Sequence, residues 1–298
     1  MDEWKTGQKV PNIPAARDGV KNTPPLSRPF CGGESMNRSD VIGNLDSRVV
    51  PILDEVEAAT DLQVQFQNLT GTYVVAQYRF DPHSNTPTVF LRSDWVDVDV
   101  AHELMHMKLE LVEGFAVLAW RSDVSRTNAI EAAFGRVRGY VDDEVVHSRL
   151  VQEGFTLDGE VLKSQIFDDI YTNIPRYLQS LRPRPDDGMA HLDGFGYGEL
   201  CRSSFLVHAE LICKNYSSAL SDAHSTKVQR FVSAFRTHRA PEASKADEVL
   251  RLFEGNNVMT VAGHKEILES WARLEALDGF VGPSIYTRQG NRYILPWP

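Results

Sequence analysis

Cysteine is scarce in this chain. Three residues among 298, Cys31, Cys201 and Cys213, are widely spaced and contain no C-x-x-C pair. An odd, scattered set of this kind excludes a disulfide scaffold and a cysteine-based zinc site, and it fits a reducing compartment. Long apolar runs are also missing. The longest, Phe115 to Trp120, falls far short of the ~20 residues a membrane span needs. The opening stretch MDEWKTGQKVPNIP has no apolar signal core. Positive charge is in deficit, 31 Lys and Arg against 41 Asp and Glu for a net charge of −10, which argues against a partner held by its phosphates. No internal repeat or low-complexity tract is visible. The expectation is a soluble, cytoplasmic protein that uses neither membrane nor nucleic acid. With 42% hydrophobic residues it can bury a real core, as one large domain or two modest ones.

Against this plain background one stretch carries chemistry: His102-Glu103-Leu104-Met105-His106, an HExxH motif. On a helix, residues four apart lie one above the other, so His102 and His106 can offer two imidazoles to one zinc ion. Glu103 projects about 100° round the same turn, within reach of a water on that metal. Zinc with three protein ligands and an open position brings such a water to a pKa of ~7, and the glutamate can take its proton. Chance occurrences of the motif fall mostly in loops or on polar surface helices. Here Val98, Ala101, Met105, Leu109 and Val112 recur at helical spacing, Ser93 or Asp94 can cap the start, and Gly114 can close the end. The preceding Thr86 to Leu91 reads as a strand.

The motif resembles that of the zincin superfamily of metallopeptidases, over roughly residues 40 to 155. The resemblance implies an edge strand ahead of the HExxH helix, a third zinc ligand from a second helix downstream, and a peptide or protein substrate. Subfamily patterns fail. Leu109 and Val112 stand where metzincins carry Gly and His. Glu131 lies at a plausible distance for a gluzincin ligand, but Gly135 stands where an aspartate should follow.

The segment Tyr140 to His147 holds the best candidates for the third ligand. Val141, Val145, Leu150 and Val151 suggest a helix with one apolar side, ended by Gly154. Asp143 is the first choice, with His147, Asp142, Glu144 and Glu131 as alternatives. Acidic residues in a first helical turn are also favoured by the helix dipole with no metal present. If Asp143 is the ligand, His147 lies one turn away on the same face. It could donate to a developing oxyanion or orient Asp143, and Tyr140 is a further donor candidate.

The expected fold class is α+β: a zincin-like lobe of helix, small sheet, HExxH helix and ligand helix, followed by a mainly helical region. Residues 1–38, rich in proline and glycine, read as an irregular arm, in which Cys31 could reach and block the zinc. Residues 39–158 read as the lobe. It opens with a helix from Ser39 to Thr60, then strands at Leu62 to Leu69 and Tyr73 to Phe80 joined as a hairpin by Thr70-Gly71-Thr72. Phe115 to Trp120 fits strand or helix, and Ala129 to Phe134 and Val141 to Val151 read as two helical runs. Residues 159–298 read as helices at Ile166 to Leu181, Glu199 to Asn215, Ser225 to Arg236, Lys245 to Phe253 and His264 to Leu277, closed by a hairpin around Gln289-Gly290-Asn291. His191 to Gly198, with Tyr197, reads as a surface loop or a lid. His208 fits a satisfied core histidine.

The leading functional expectation is a zinc-dependent hydrolase, foremost a peptidase, with Zn2+ as cofactor and Glu103 as base. The alternatives are a non-catalytic regulatory or binding protein that retains the zinc lobe, and a hydrolase of non-peptide substrates. The presence of Glu103 favours an enzyme, because a structural zinc site needs no base and would be closed by four protein ligands.

Overall fold

A computed structural model describes residues 34–70, 75–81, 84–121, 128–158, 202–290 and 292–296, with backbone alone for 128–132, 202 and 238. The described residues belong to one compact unit. Cys31, Cys201, the Ile166 to Leu181 segment and the His191 to Gly198 stretch lie outside the described residues. The architecture is α+β, and among the described residues helix predominates over three small sheets.

The helix expected from Ser39 to Thr60 is two helices, α1 (Arg38–Gly43) and α2 (Val49–Thr60). Pro51 supplies the reason. It lacks an N–H, and its ring would strike the carbonyl four residues back, so it is tolerated only in a first helical turn. The break is satisfied by side chains: Arg48 N donates to Asp46 Oδ1 at 2.8 Å, and Asp46 N donates to Asp97 Oδ1 at 2.9 Å. Val49, Ile52, Leu53 and Val56 form the buried stripe of α2.

Strands β1 (Gln65–Asn68), β2 (Ala76–Asp81) and β3 (Thr86–Leu91) form one sheet in the order β1-β3-β2. The expected β1–β2 hairpin is therefore absent. β3 inserts between them, parallel to β1 and antiparallel to β2. The alternation of side chains identifies strands without naming their neighbours, and burial decides the order. β3 buries Pro87, Thr88, Val89 and Leu91 and takes the centre, whereas β2 carries the exposed Arg79 and takes an edge. The strand nearest the motif in sequence is thus central, and the edge strand beside the HExxH helix is β2.

Helix α3 (Asp97–Met107) carries the motif. Neither Ser93 nor Asp94 caps it. The cap residue is Val96, whose N–H donates to Asp99 Oδ2 at 2.7 Å from inside the first turn. Asp94 is instead paired with Arg92 at 2.5 Å. Beyond Met107 the helix widens into a π turn over Lys108–Val112, and Gly114, at φ +72°, ends it. Residues 117–120 settle as strand β4 (Val117–Trp120), which pairs antiparallel with β5 (Val281–Ser284).

The two helical runs expected after the motif are one 25-residue helix, α4 (Asn128–Gln152). Gly135 and Gly139 lie within it and do not break it, since each is only a modest propensity loss against a buried apolar stripe of Val137, Val141, Val145 and Leu150. The acidic run 142–144 consequently sits mid-helix, where no dipole argument accounts for it.

Helices α5 (Arg202–Asn215), α6 (Asp222–His238), α7 (Ala240–Gly255) and α8 (Val261–Leu274) follow, and α5 and α8 both pack on α4. Strands β6 (Thr287–Gln289) and β7 (Arg292–Ile294) make the expected terminal hairpin, with Gly290 at φ +61°. Residues from α2 to β7 share one hydrophobic cluster, in which Phe66, Leu104, Leu150, Phe231 and Trp271 are fully buried. No helix among the described residues is long and apolar enough to cross a membrane.

Candidate metal centre

α3 lies between the sheet and α4, so its motif face looks across at the acidic run of α4. Three donor atoms meet in that crossing. His106 Nε2 lies 2.9 Å from His102 Nε2, and Asp143 Oδ1 lies 3.4 Å from the first ring and 3.3 Å from the second. The three residues form a group able to hold a metal ion. Ligand atoms ~2.0–2.1 Å from a tetrahedral zinc stand ~3.3 Å apart, so spacing and donor types both fit such an ion.

The closeness of these groups also perturbs their ionisation. Burial alone would raise the Asp143 carboxyl, but hydrogen bonds from His102 and His106 outweigh it and hold the group well below the usual carboxylate range. Burial would lower the His106 imidazole, and the Asp143 carboxylate reverses that, so its pKa lies above the ordinary value.

Glu103 sits in the same half-buried turn, within electrostatic reach of both imidazoles and of Asp143. Its Oε2 accepts the Tyr78 backbone N–H at 2.5 Å. Because β2 is an edge strand, that N–H is not claimed by the sheet, and it fixes the carboxylate against the strand. Burial pushes the Glu103 carboxyl upward, against the lowering influence of the two imidazoles and the Tyr78 N–H.

The other candidates separate by direction round α4. Glu144 turns to α5: its Oε1 accepts from Asn215 Nδ2 at 2.5 Å, and its carbonyl accepts the Tyr216 hydroxyl at 2.7 Å. Asp142 turns to α8, with Oδ1 2.8 Å from His264 Nε2. His147 is buried beside the centre, its ring 5.7 Å from that of His102 and 6.1 Å from that of His208. Tyr140 stacks on His208, 4.4 Å between ring centres and 18° apart in plane. Glu131 lies in α4, but its side chain is outside the described residues.

Sequence reasoning passed over the residues behind the centre. Glu110 and Asp142 form a second close group with His106, at the start of the π turn that follows the motif. Arg138 bridges this group, its Nη2 to Glu110 and its Nε to Asp142 at 3.3 Å. The i+4 spacing of His106 and Glu110 was a usable signal. His264, 122 residues from Asp142, offered none.

No protein-family model matches the chain, and neither does any curated protein or any solved structure.

Proposed function

We propose that this protein is a zinc-dependent hydrolase, foremost a peptidase, whose ion is held by His102, His106 and Asp143. The observation that supports the reading is the convergence of these three donors, at 2.9, 3.3 and 3.4 Å from one another, with a carboxylate beside them that is not one of the three. Three protein ligands leave a coordination position open, the arrangement of a catalytic rather than a structural zinc site. When bound, zinc would supply Lewis acidity toward a carbonyl and ease the ionisation of a water.

The chain's own residues then have distinct tasks. Glu103 accepts the proton of the attacking water and returns it to the leaving amine. Its raised proton affinity suits that task, and the Tyr78 N–H keeps one oxygen anchored while the other remains available. His147 stands next to the His102 ring as a donor toward developing negative charge or as a support for Asp143 one turn away. Tyr140, stacked on His208, is a more distant donor.

The test is cleavage of a peptide or protein library by the zinc-loaded chain and by Glu103→Gln. The variant should retain zinc and fold while losing about 10²–10⁴-fold or more in rate. Cleavage at the wild-type rate by Glu103→Gln would reject Glu103 as the base.

A further inference from the structure

Behind the candidate centre lies a second layer of charge. Glu110 is 3% exposed and Asp142 4%, and the guanidinium of Arg138 bonds to both. Asp142 also meets His264, which is fully buried. His264 Nδ1 has no hydrogen-bond partner among the described residues, and its ring stands edge-on to Phe115 at 5.0 Å. An unpaired lone pair costs less in such a place than an unpaired N–H, so the favoured tautomer carries its proton on Nε2 and donates it to Asp142. The chain Glu110–Arg138–Asp142–His264 thus links the π turn, α4 and α8.

Its inner end is His106. One of that ring's nitrogens, a Glu110 oxygen and an Asp142 oxygen all lie within 4.8 Å of one another. Nε2 of His106 is the atom turned toward His102 and Asp143, which leaves Nδ1 as the nitrogen able to donate outward. A metal-binding imidazole whose other nitrogen is held by a carboxylate is fixed in tautomer and orientation and is a stronger ligand. No direct hydrogen bond joins His106 to Glu110, and a gap of this order is one that a single bridging water can span.

Resting on the metal reading above, we propose that Glu110 is a positioning residue for His106, held in place by Arg138 and, through Asp142, by His264. The fork of Arg138 occupies the space between the two carboxylates, so the second group carries its own cation and positions a ligand without binding an ion itself.

Cobalt(II) titration of the full chain, followed by its visible d–d bands, tests the proposal. Wild type should bind one Co2+ per chain. Glu110→Ala should bind it about 10–100-fold more weakly, with shifted bands. Glu110→Gln, which keeps shape and an acceptor oxygen, should recover part of that loss, and Arg138→Lys should fall between wild type and Glu110→Ala. Glu275→Gln removes an equally buried carboxylate outside the centre and should change neither affinity nor bands. If Glu110→Ala does not fold, the Gln and Lys variants carry the test. Wild-type affinity and bands in the Glu110 and Arg138 variants would overturn the positioning role and leave the centre intact. A wild-type chain that takes up neither cobalt nor zinc would overturn the centre itself.

Discussion

At the scale of single residues, the choice of Asp143 over its neighbours is a matter of angle. Consecutive helical residues point about 100° apart, so Asp142, Asp143 and Glu144 face three different partners. Of the three, only Asp143 reaches both His102 and His106, while Asp142 meets Arg138 and His264 behind His106 and Glu144 meets Asn215. The sequence narrowed the field because a carboxylate or imidazole was needed on a face that also packs. It put Asp143 first but could not fix the direction of any of the three, since phase depends on where helix α4 begins and how it crosses α3. Asp143→Ala should weaken zinc binding 10-fold or more, with helicity by circular dichroism unchanged, because the side chain is the proposed ligand, half-buried and outside the hydrophobic core. Undiminished zinc affinity in that variant would remove Asp143 from the centre. Glu144→Gln, facing α5, should leave zinc affinity as it was.

At the scale of elements, periodicity made the strands and helices legible and left their neighbours obscure. Thr86 to Leu91 is a strand as read, but its central place follows from burial of Val89 and Leu91 in the shared core, which no local pattern shows. The split between α1 and α2 was written in Pro51, but the apolar residues Val41, Val49, Ile52, Leu53 and Val56 continue across it at helical spacing and mask it. The π turn had no local signal. It is stabilised by two ion pairs to α4, Glu110 with Arg138 and Glu113 with Arg149 at 2.6 Å, which bracket Asp143 along that helix. The start of α8 gives a sharp test of packing at this scale. A Cβ on Gly263 would lie 2.1 Å from the Asn257 carbonyl oxygen, a backbone atom that cannot swing away. Gly263→Ala should therefore destabilise the fold by about 1–3 kcal/mol, read as a lower urea midpoint with unchanged slope. An unchanged midpoint would mean that the turn before α8 is looser than the contact indicates.

At the scale of the whole molecule, the lobe that carries the motif and the helices after it share one core. Helix α4 gives Asp143 to the centre with one face and packs on α5 and α8 with others. Among the described residues, the helices from Arg202 onward were legible from sequence, as was the terminal hairpin. Its role as the support of the ligand helix was not, because contacts such as Tyr216 with the Glu144 carbonyl join residues 72 apart. The core fixes α4, and α4 presents Asp143 to two imidazoles already in line on α3. The central proposal is that this convergence is a metal site. Elemental analysis of the purified chain, compared with the His102→Ala/His106→Ala double variant, tests it most directly. One zinc per chain in wild type and essentially none in the double variant is the predicted result; no zinc in wild type, or equal zinc in both, would contradict it.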